Sequence, residues 1–207
     1  MALNGLVRKA RNSDLDQLVN VYLECFPQRA REVFGDGDKR LFIRDYLGFF
    51  LSWDPDGNWL YVENNSVLGF IIAPCRYSPW RAALSRGQVV RWAIHFLTGK
   101  YGFPVRIVKK FLLAGFAFNP DPQVRQMWGK PFIHGIAVAE RVRRQGVASE
   151  LVRRALDEHR KKGYRFCFGV LRPGNTQAIF LLEKAGFKVS HLTPEGEPVM
   201  VLQVTAS

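Results

Sequence analysis

The stretch from residue 136 to residue 155 decides the fold, and it reads Ile136-Ala137-Val138-Ala139-Glu140-Arg141-Val142-Arg143-Arg144-Gln145-Gly146-Val147-Ala148-Ser149-Glu150-Leu151-Val152-Arg153-Arg154-Ala155. Its apolar start predicts the end of a β-strand, and its second half predicts a helix that opens at about Gln145–Gly146 and continues to residue 162. The first amides of a helix have no partner inside the helix, and the helix dipole adds partial positive charge there. With Arg143 and Arg144 in the preceding loop, this arrangement is typical of an anion-binding site.

The loop between the predicted strand and helix contains one glycine. Gly146 allows the backbone to approach a pyrophosphate closely, and the small side chain of Ala148 does the same in the first turn of the helix. Short glycine-containing motifs also occur in loops that are simply solvated, and the tetrapeptide alone favours that interpretation. The predicted strand–turn–helix context favours phosphate binding instead.

A second motif lies closer to the C-terminus and reads Asn175-Thr176-Gln177-Ala178-Ile179-Phe180-Leu181-Leu182-Glu183-Lys184-Ala185-Gly186-Phe187. Together with the segment 143–148, it resembles the signatures of the GNAT superfamily of acyl-CoA-dependent N-acetyltransferases. Those signatures are Arg/Gln-x-x-Gly-x-Gly/Ala and Asn-x-x-Ala…Glu-Lys-x-Gly-Phe. The spacing of the two motifs and the order of the predicted elements also agree, so the resemblance covers the whole chain except an insertion.

Hydrophobic periodicity predicts the remaining elements. Strands are expected over 6–10, 59–63, 67–74, 131–138, 164–171, 187–192 and 199–204, and helices over 13–26, 38–53, 145–162 and 176–185. This order predicts an α+β fold around a single mixed, mostly antiparallel sheet. The resemblance adds that the central strands are splayed apart and flanked by helices. We expect residues 1–207 to form one domain, with a helical insertion at about 78–127.

The resemblance implies that acetyl-CoA is the cosubstrate and lies between the splayed strands. The edge of segment 136–138 would bond the pantetheine arm, the amides of segment 144–149 would hold the pyrophosphate, and Asn175 would contact the thiol end. The amide of Val138 would lie where the thioester carbonyl becomes an oxyanion. The implied cofactor-binding residues are Ile136, Ala137, Val138, Arg143, Arg144, Gln145, Gly146, Val147, Ala148, Ser149 and Asn175.

The positions that usually carry proton transfer in the family are apolar in this sequence. Many members have a catalytic tyrosine where this chain has Leu182, and a glutamate base where it has Val170. A base on the preceding strand, found in another branch, would fall near Phe132. The usual acid–base pair is therefore not evident from the sequence.

His134 is the best remaining candidate for the base, because strand alternation places it on the same face as Ile136 and Val138. An imidazole titrates near neutral pH, which suits proton transfer. A structural histidine that is hydrogen-bonded within the sheet is an equally good interpretation. Tyr77 is a candidate acid, although a surface tyrosine at the end of a strand explains it more simply.

Basic residues are concentrated in one part of the chain. The sequence has 30 Lys plus Arg against 18 Asp plus Glu, a formal charge of +12. Residues 76–130 contain ten bases and one acid, or +9, which leaves +3 for the rest. The catalytic domain is thus close to balanced, and the insertion carries most of the charge.

Two short basic amphipathic helices are expected in the insertion, one around residues 88–98 and one around 105–115. The simplest interpretation is a helical hairpin that packs on its own domain. A lid that favours an anionic acceptor, a homodimer contact and a peripheral contact with a membrane surface remain open. A nucleic-acid partner fits least, because no recognition motif or aromatic stacking pattern accompanies the charge.

The three cysteines, Cys25, Cys75 and Cys167, lie far apart and show no metal-ligand spacing. We therefore expect no metal site and no disulfide scaffold. The N-terminus lacks the apolar core of a signal peptide, and no stretch reaches the roughly 18–20 apolar residues that span a bilayer. These features predict a reduced, cytoplasmic protein.

The sequence thus predicts an acetyl-CoA-dependent N-acetyltransferase that acts on a primary amine by direct attack. The apolar Leu182 and Val170 keep a second interpretation open. In that interpretation the chain is a non-catalytic sensor or interaction module that binds acyl-CoA on the same fold.

Overall fold

The computed structural model describes residues 3–34, 39–76, 87–101, 127–193 and 196–203. The helices are α1 (Leu15–Cys25), α2 (Pro27–Phe34), α3 (Lys39–Trp53), α4 (Gln88–Leu97), α5 (Val147–Lys161) and α6 (Thr176–Lys184). The strands are β1 (Leu6–Lys9), β2 (Asn58–Glu63), β3 (Ser66–Ile72), β4 (Phe132–Ile133), β5 (Gly135–Val138), β6 (Phe166–Val170), β7 (Lys188–Leu192) and β8 (Pro198–Gln203). The helix α2 was not expected; it begins at Pro27, a residue suited to the first helical position.

Hydrogen bonding divides the strands into two four-stranded sheets, in the orders β1-β2-β3-β5 and β4-β6-β8-β7. The first sheet is antiparallel throughout, and the second contains one parallel pair, β4 with β6. Because β4 and β5 follow each other in the segment expected as one strand, this segment joins both sheets. The prediction of a mixed sheet with splayed central strands is confirmed, with the splay dividing the strands into two hydrogen-bonded sheets.

A β-bulge separates β4 from β5. The amide of His134 donates to the carbonyl of Ile72 at 2.8 Å, while Gly135 is also paired with Ile72. Two residues of one strand thus oppose one residue of its partner, which defines a bulge and bends the strand. Before the bulge the segment pairs with β6, and after it the segment stays on β3 alone, so the two sheets diverge here.

The two faces of the first sheet are covered by different helices. Phe70 and Ile72 of β3 belong to a core cluster shared with α1, α3 and α4. Ile71 between them belongs to a second cluster, which contains the apolar stripe of α5. The period-two alternation of β3 therefore explains why helices pack on both sides of this sheet.

His159 is the polar member of the buried stripe of α5. Its side chain is fully buried, its Nε2 donates to the carbonyl of Ala73 at 2.9 Å, and its Nδ1 has no hydrogen-bond partner. Burial lowers the pKa of this imidazole, with the hydrogen bond to Ala73 acting in the opposite direction. The native protein therefore holds His159 in its neutral form.

This burial predicts a loss of stability under mildly acidic conditions. The folded pKa lies below the value of about 6.5 in an unfolded chain, so below that pH the unfolded state binds the proton first. The contribution of His159 to the free energy of unfolding should not change with pH above about 6.5. It should decrease as the pH falls below that value. Carboxyl groups with a lowered pKa, such as Asp56 with a pKa of about 2, change the stability only at more acidic pH.

Urea titrations at several pH values between about 5 and 8 test this expectation, because this range is centred on the pKa of about 6.5 that histidine has in an unfolded chain. His159→Gln retains a donor for Ala73 but does not titrate, so its stability should be nearly independent of pH in this range. An equal slope in wild type and variant would show that other groups cause the effect.

In the described ranges, no helix is long and apolar enough to cross a membrane.

Candidate functional site

The site is built around the free edge of β5. The amide of Ala139 donates to the carbonyl of Leu68 at 2.7 Å. Because N–H directions alternate along a strand, the amides of Ile136 and Val138 point away from β3 and toward the splay. Ala137 instead turns its amide to β3 and buries its side chain in the α1–α3 core. Two of the three residues expected at the pantetheine edge thus present backbone donors to the gap.

The carbonyl of Val138 lies at the end of this edge and accepts two hydrogen bonds. The Sγ of Cys25, at the end of α1, donates to it at 3.3 Å, and the Nε of Arg143 donates at 2.9 Å. Burial raises the pKa of the Cys25 thiol, against a lowering by Arg143, so the thiol remains a neutral donor. These contacts fix the end of β5 and hold the Arg143 guanidinium beside it.

The loop that follows turns sharply at two residues with left-handed backbone. Arg144 has a φ of 62° and Gly146 a φ of 90°. A Cβ added at Gly146 would meet no atom within 4 Å, so the space beside the loop is open. Arg143, Arg144 and Gly146 are exposed. Such alternation of backbone conformation forms concave groups of amides that bind anions.

The helix α5 begins directly at this turn. Its first hydrogen bond runs from the amide of Glu150 to the carbonyl of Gly146 at 3.0 Å. The amides of Val147, Ala148 and Ser149 therefore precede the hydrogen-bonded ladder of the helix. The side chain of Val147 is buried and anchors the turn to the core. These three amides lie at the position where the sequence predicts an anion site.

Two further residues of the expected site make local contacts. The side-chain oxygen of Asn175 accepts a hydrogen bond from the amide of Ala178 at 3.2 Å and so caps α6. The side chain of Gln145 donates to the carbonyl of Arg141 at 3.2 Å. Both contacts stabilise the backbone from which the neighbouring amides project.

His134 lies at the bulge, at the point where the sheets diverge. Its Nε2 is hydrogen-bonded to the Oη of Tyr46 on α3, and its ring stacks on Phe50 with the centroids 4.4 Å apart. The expectation that His134 shares a face with Ile136 and Val138 is wrong. Those two side chains pack against the core on the α5 side, because the bulge reverses the alternation of the strand.

The three apolar residues at the family's usual catalytic positions belong to the protein core. Leu182 is 2% exposed and packs over Gly169. Phe132 is buried in a small cluster with Met127 and Val199, and Val170 packs against the same cluster. None of these side chains carries a titratable group. The expected acid, Tyr77, lies outside the described residues.

Tyr46 and Cys25 are residues of this region that the sequence analysis did not single out as site residues. Tyr46 is separated from His134 by 88 residues, and Cys25 from Val138 by 113 residues. No local pattern links either pair, because each contact is created by packing α1 or α3 on the sheet.

Solved structures with the same fold have little sequence similarity to this chain. PH1933 from Pyrococcus horikoshii OT3 is 16% identical, with a TM-score of 0.66, and the match covers 97% of this chain and 99% of that one. The ribosomal-protein-S18-alanine N-acetyltransferase from Escherichia coli is 14% identical, with a TM-score of 0.53 and coverages of 98% and 96%. The yncA structure from Salmonella typhimurium, determined with its cofactor acetyl-CoA, is 15% identical, with a TM-score of 0.58 and coverages of 99% and 96%.

Most of the chain also matches a known protein family. A search of curated proteins finds no match to this chain. A family model described as the acetyltransferase (GNAT) family matches residues 15–187. This range contains the free edge of β5, the left-handed loop and the start of α5. The chain therefore belongs to the GNAT family of acetyltransferases.

Proposed function

We propose that this protein transfers the acetyl group of acetyl-CoA to a primary amine by direct attack of the amine. The observation that carries the proposal is the continuity of the free β5 edge with the left-handed loop and the start of α5. This surface offers backbone donors for an extended amide-containing arm, followed by a concave group of amides for a pyrophosphate. Acetyl-CoA has both parts in this order.

The assignment of individual residues follows from this surface. The amide of Val138 would bond the pantetheine arm, with Ala137 holding the strand on β3. The backbone from Arg144 to Ser149 would hold the pyrophosphate, and Arg143 would add positive charge beside it. Asn175 would support the thiol end through the backbone that it caps. Acetyl-CoA supplies the activated acetyl group when bound.

Backbone and side chains of this chain then assist the transfer. Of the two free amides, that of Ile136 lies farther along the strand from the pyrophosphate loop than the amide of Val138, where the oxyanion was expected. The amide of Ile136 would therefore donate a hydrogen bond to the thioester oxygen as negative charge develops there, a contribution typically worth about 3–4 kcal/mol. An ammonium cannot attack, so the amine must lose a proton. His134 accepts a proton through its contact with Tyr46: the amine proton passes to Oη, and the Oη proton passes to Nε2. As the C–N bond forms, the C–S bond breaks, and CoA would leave as a thiolate that takes up a proton from water.

A variant of Tyr46 tests this path. Tyr46→Phe retains the ring but removes the hydroxyl, and a water molecule in its place would still link the amine to His134. We therefore expect kcat to fall only about tenfold, the loss of about one hydrogen bond in the transition state. KM should change less, and the acidic limb of the pH–rate profile should remain because His134 is retained. Tyr164→Phe, which removes an exposed hydroxyl bonded to Arg76, should behave as wild type. An unchanged kcat for Tyr46→Phe would exclude the hydroxyl from the path.

The main experiment measures thiol release from acetyl-CoA with a panel of amines, with the acetylated product identified by mass spectrometry. We expect thiol and N-acetylated product in equal amounts with at least one amine class. Tight CoA binding without acetylation of any amine would favour the second candidate, a non-catalytic acyl-CoA-binding module. The buried, apolar Leu182 and the half-buried Val170 favour that candidate.

A further inference from the structure

The helix α4 is packed firmly against α3 along one face. Trp92 contacts Phe42 and Phe49 of α3, with ring centroids 6.4 Å and 5.7 Å apart. Phe96, one turn further on, lies 5.8 Å from the Phe42 ring. Val89 completes this face. The aromatic contacts fix which side of α4 points inward.

A polar network around Asp45 fixes the rotation of α4 as well. Tyr101, just after the helix, donates to Asp45 at 2.5 Å, and His95 lies 2.9 Å from the same hydroxyl. Arg91 donates to Asp45 at 3.1 Å. Burial and the adjacent carboxylate raise the pKa of Tyr101, so the phenol remains a donor. The polar stripe expected on α4 is therefore used partly for internal contacts.

The outward side of α4 is apolar as a result. Val90, Ile94 and Leu97 are 62%, 51% and 83% exposed. Their spacing of four and three residues places them on one stripe of the helix. Three large aliphatic side chains in one exposed stripe of a water-soluble surface indicate a contact site.

The sequence on both sides of α4 is strongly basic. Residues 64–120 contain eight Lys or Arg and no Asp or Glu. Among the described residues next to the stripe, Lys100 is exposed just after the helix, and Arg91 is exposed but shares its charge with Asp45. A second copy of the same face would bring two such positive regions together, which opposes self-association here. Aliphatic side chains also offer no stacking surface for nucleic-acid bases.

We propose that this face of α4 docks on an anionic lipid bilayer. An aliphatic stripe within a strongly basic segment supplies both components of peripheral membrane binding, insertion of apolar area and attraction to acidic headgroups. The helix lies in the plane of the surface, with Val90, Ile94 and Leu97 directed into the headgroup region. The contact is independent of acetyl transfer.

Co-sedimentation with vesicles tests this proposal on the full chain. Binding is expected to phosphatidylcholine vesicles that contain phosphatidylserine, to be much weaker for phosphatidylcholine alone, and to fall with added salt. The double variant Ile94→Glu, Leu97→Glu should lower the partition coefficient by roughly tenfold or more. Phe180→Glu is the matched control, because Phe180 is 68% exposed on α6 and should not affect binding.

Two outcomes would overturn the proposal. One is equal vesicle binding by the wild type and by a double variant whose circular dichroism spectrum is unchanged. If the double variant does not fold, the same comparison is made with Leu97→Gln. The other is a concentration-dependent dimer in sedimentation equilibrium that the same substitutions abolish, which would assign the face to a second copy of the chain.

Discussion

Replacing Gly146 with glutamate is expected to weaken CoA binding by roughly a hundredfold or more, equivalent to about 3 kcal/mol. The substitution places a carboxylate beside the amides at the start of α5, where a pyrophosphate would bind. The negative charge both repels the ligand and competes for the same amides. Isothermal titration calorimetry with CoA measures the loss.

The substitution also affects the backbone, and the control must reproduce that effect. Gly146 has a φ of +90°, and no atom lies within 4 Å of an added Cβ, so the cost is backbone strain rather than a clash. Gly163, just beyond the other end of the same helix, has a φ of +76° and is equally open. Both glutamate variants should therefore lose about 1–3 kcal/mol of stability.

Only Gly146→Glu should lose CoA binding, because Gly163 follows the C-terminal end of α5 and lies far from the loop in the chain. Wild-type affinity in Gly146→Glu would contradict the placement of the pyrophosphate at this turn. Equal losses in both variants would mean that destabilisation, and not the local charge, weakens binding.

The second large effect is expected for His134→Ala. Loss of a general base typically lowers the rate by about 10²–10⁴-fold. Because His134 contacts Tyr46 and Phe50 and is not part of the proposed CoA surface, kcat should fall while the KM for acetyl-CoA changes little. In the wild type, the rate should rise with pH as the imidazole loses its proton, and this limb should disappear in the variant.

Two further variants make the result interpretable. His191→Ala removes a histidine from β7, the strand at the far edge of the second sheet, and should leave the profile unchanged. His134→Gln retains a hydrogen-bond partner for Tyr46 but cannot act as a base at neutral pH. Full activity of the glutamine variant would identify His134 as a structural residue.

Local signals in the sequence accounted for most of the elements. The helix α5 and the preceding turn were predicted because apolar periodicity, basic residues and Gly146 lie together in one short segment. The left-handed φ at Gly146 is a conformation that glycine adopts without cost, so this residue marks the turn. In this segment the structure corrects one expectation, the face of the strand on which His134 lies.

The β-bulge at His134 shows why orientation was not predictable. It arises from pairing with Ile72, more than sixty residues earlier in the chain. A single extra residue in the ladder reversed the face of every side chain on one side of it. The sequence of β4 and β5 carries no signal for this, because the bulge depends on the partner strand.

By itself, the sequence determined the family, the order of most strands and helices and the position of the left-handed turn where we propose that the pyrophosphate binds. These follow from the short-range periodicity and from the two motifs around Gly146 and Asn175. Tertiary structure alone decided that His134 meets Tyr46, that Cys25 and Arg143 hold the carbonyl of Val138, and that α4 turns Val90, Ile94 and Leu97 outward. The physical reason is that each of these contacts is made between elements distant in sequence or set by their packing.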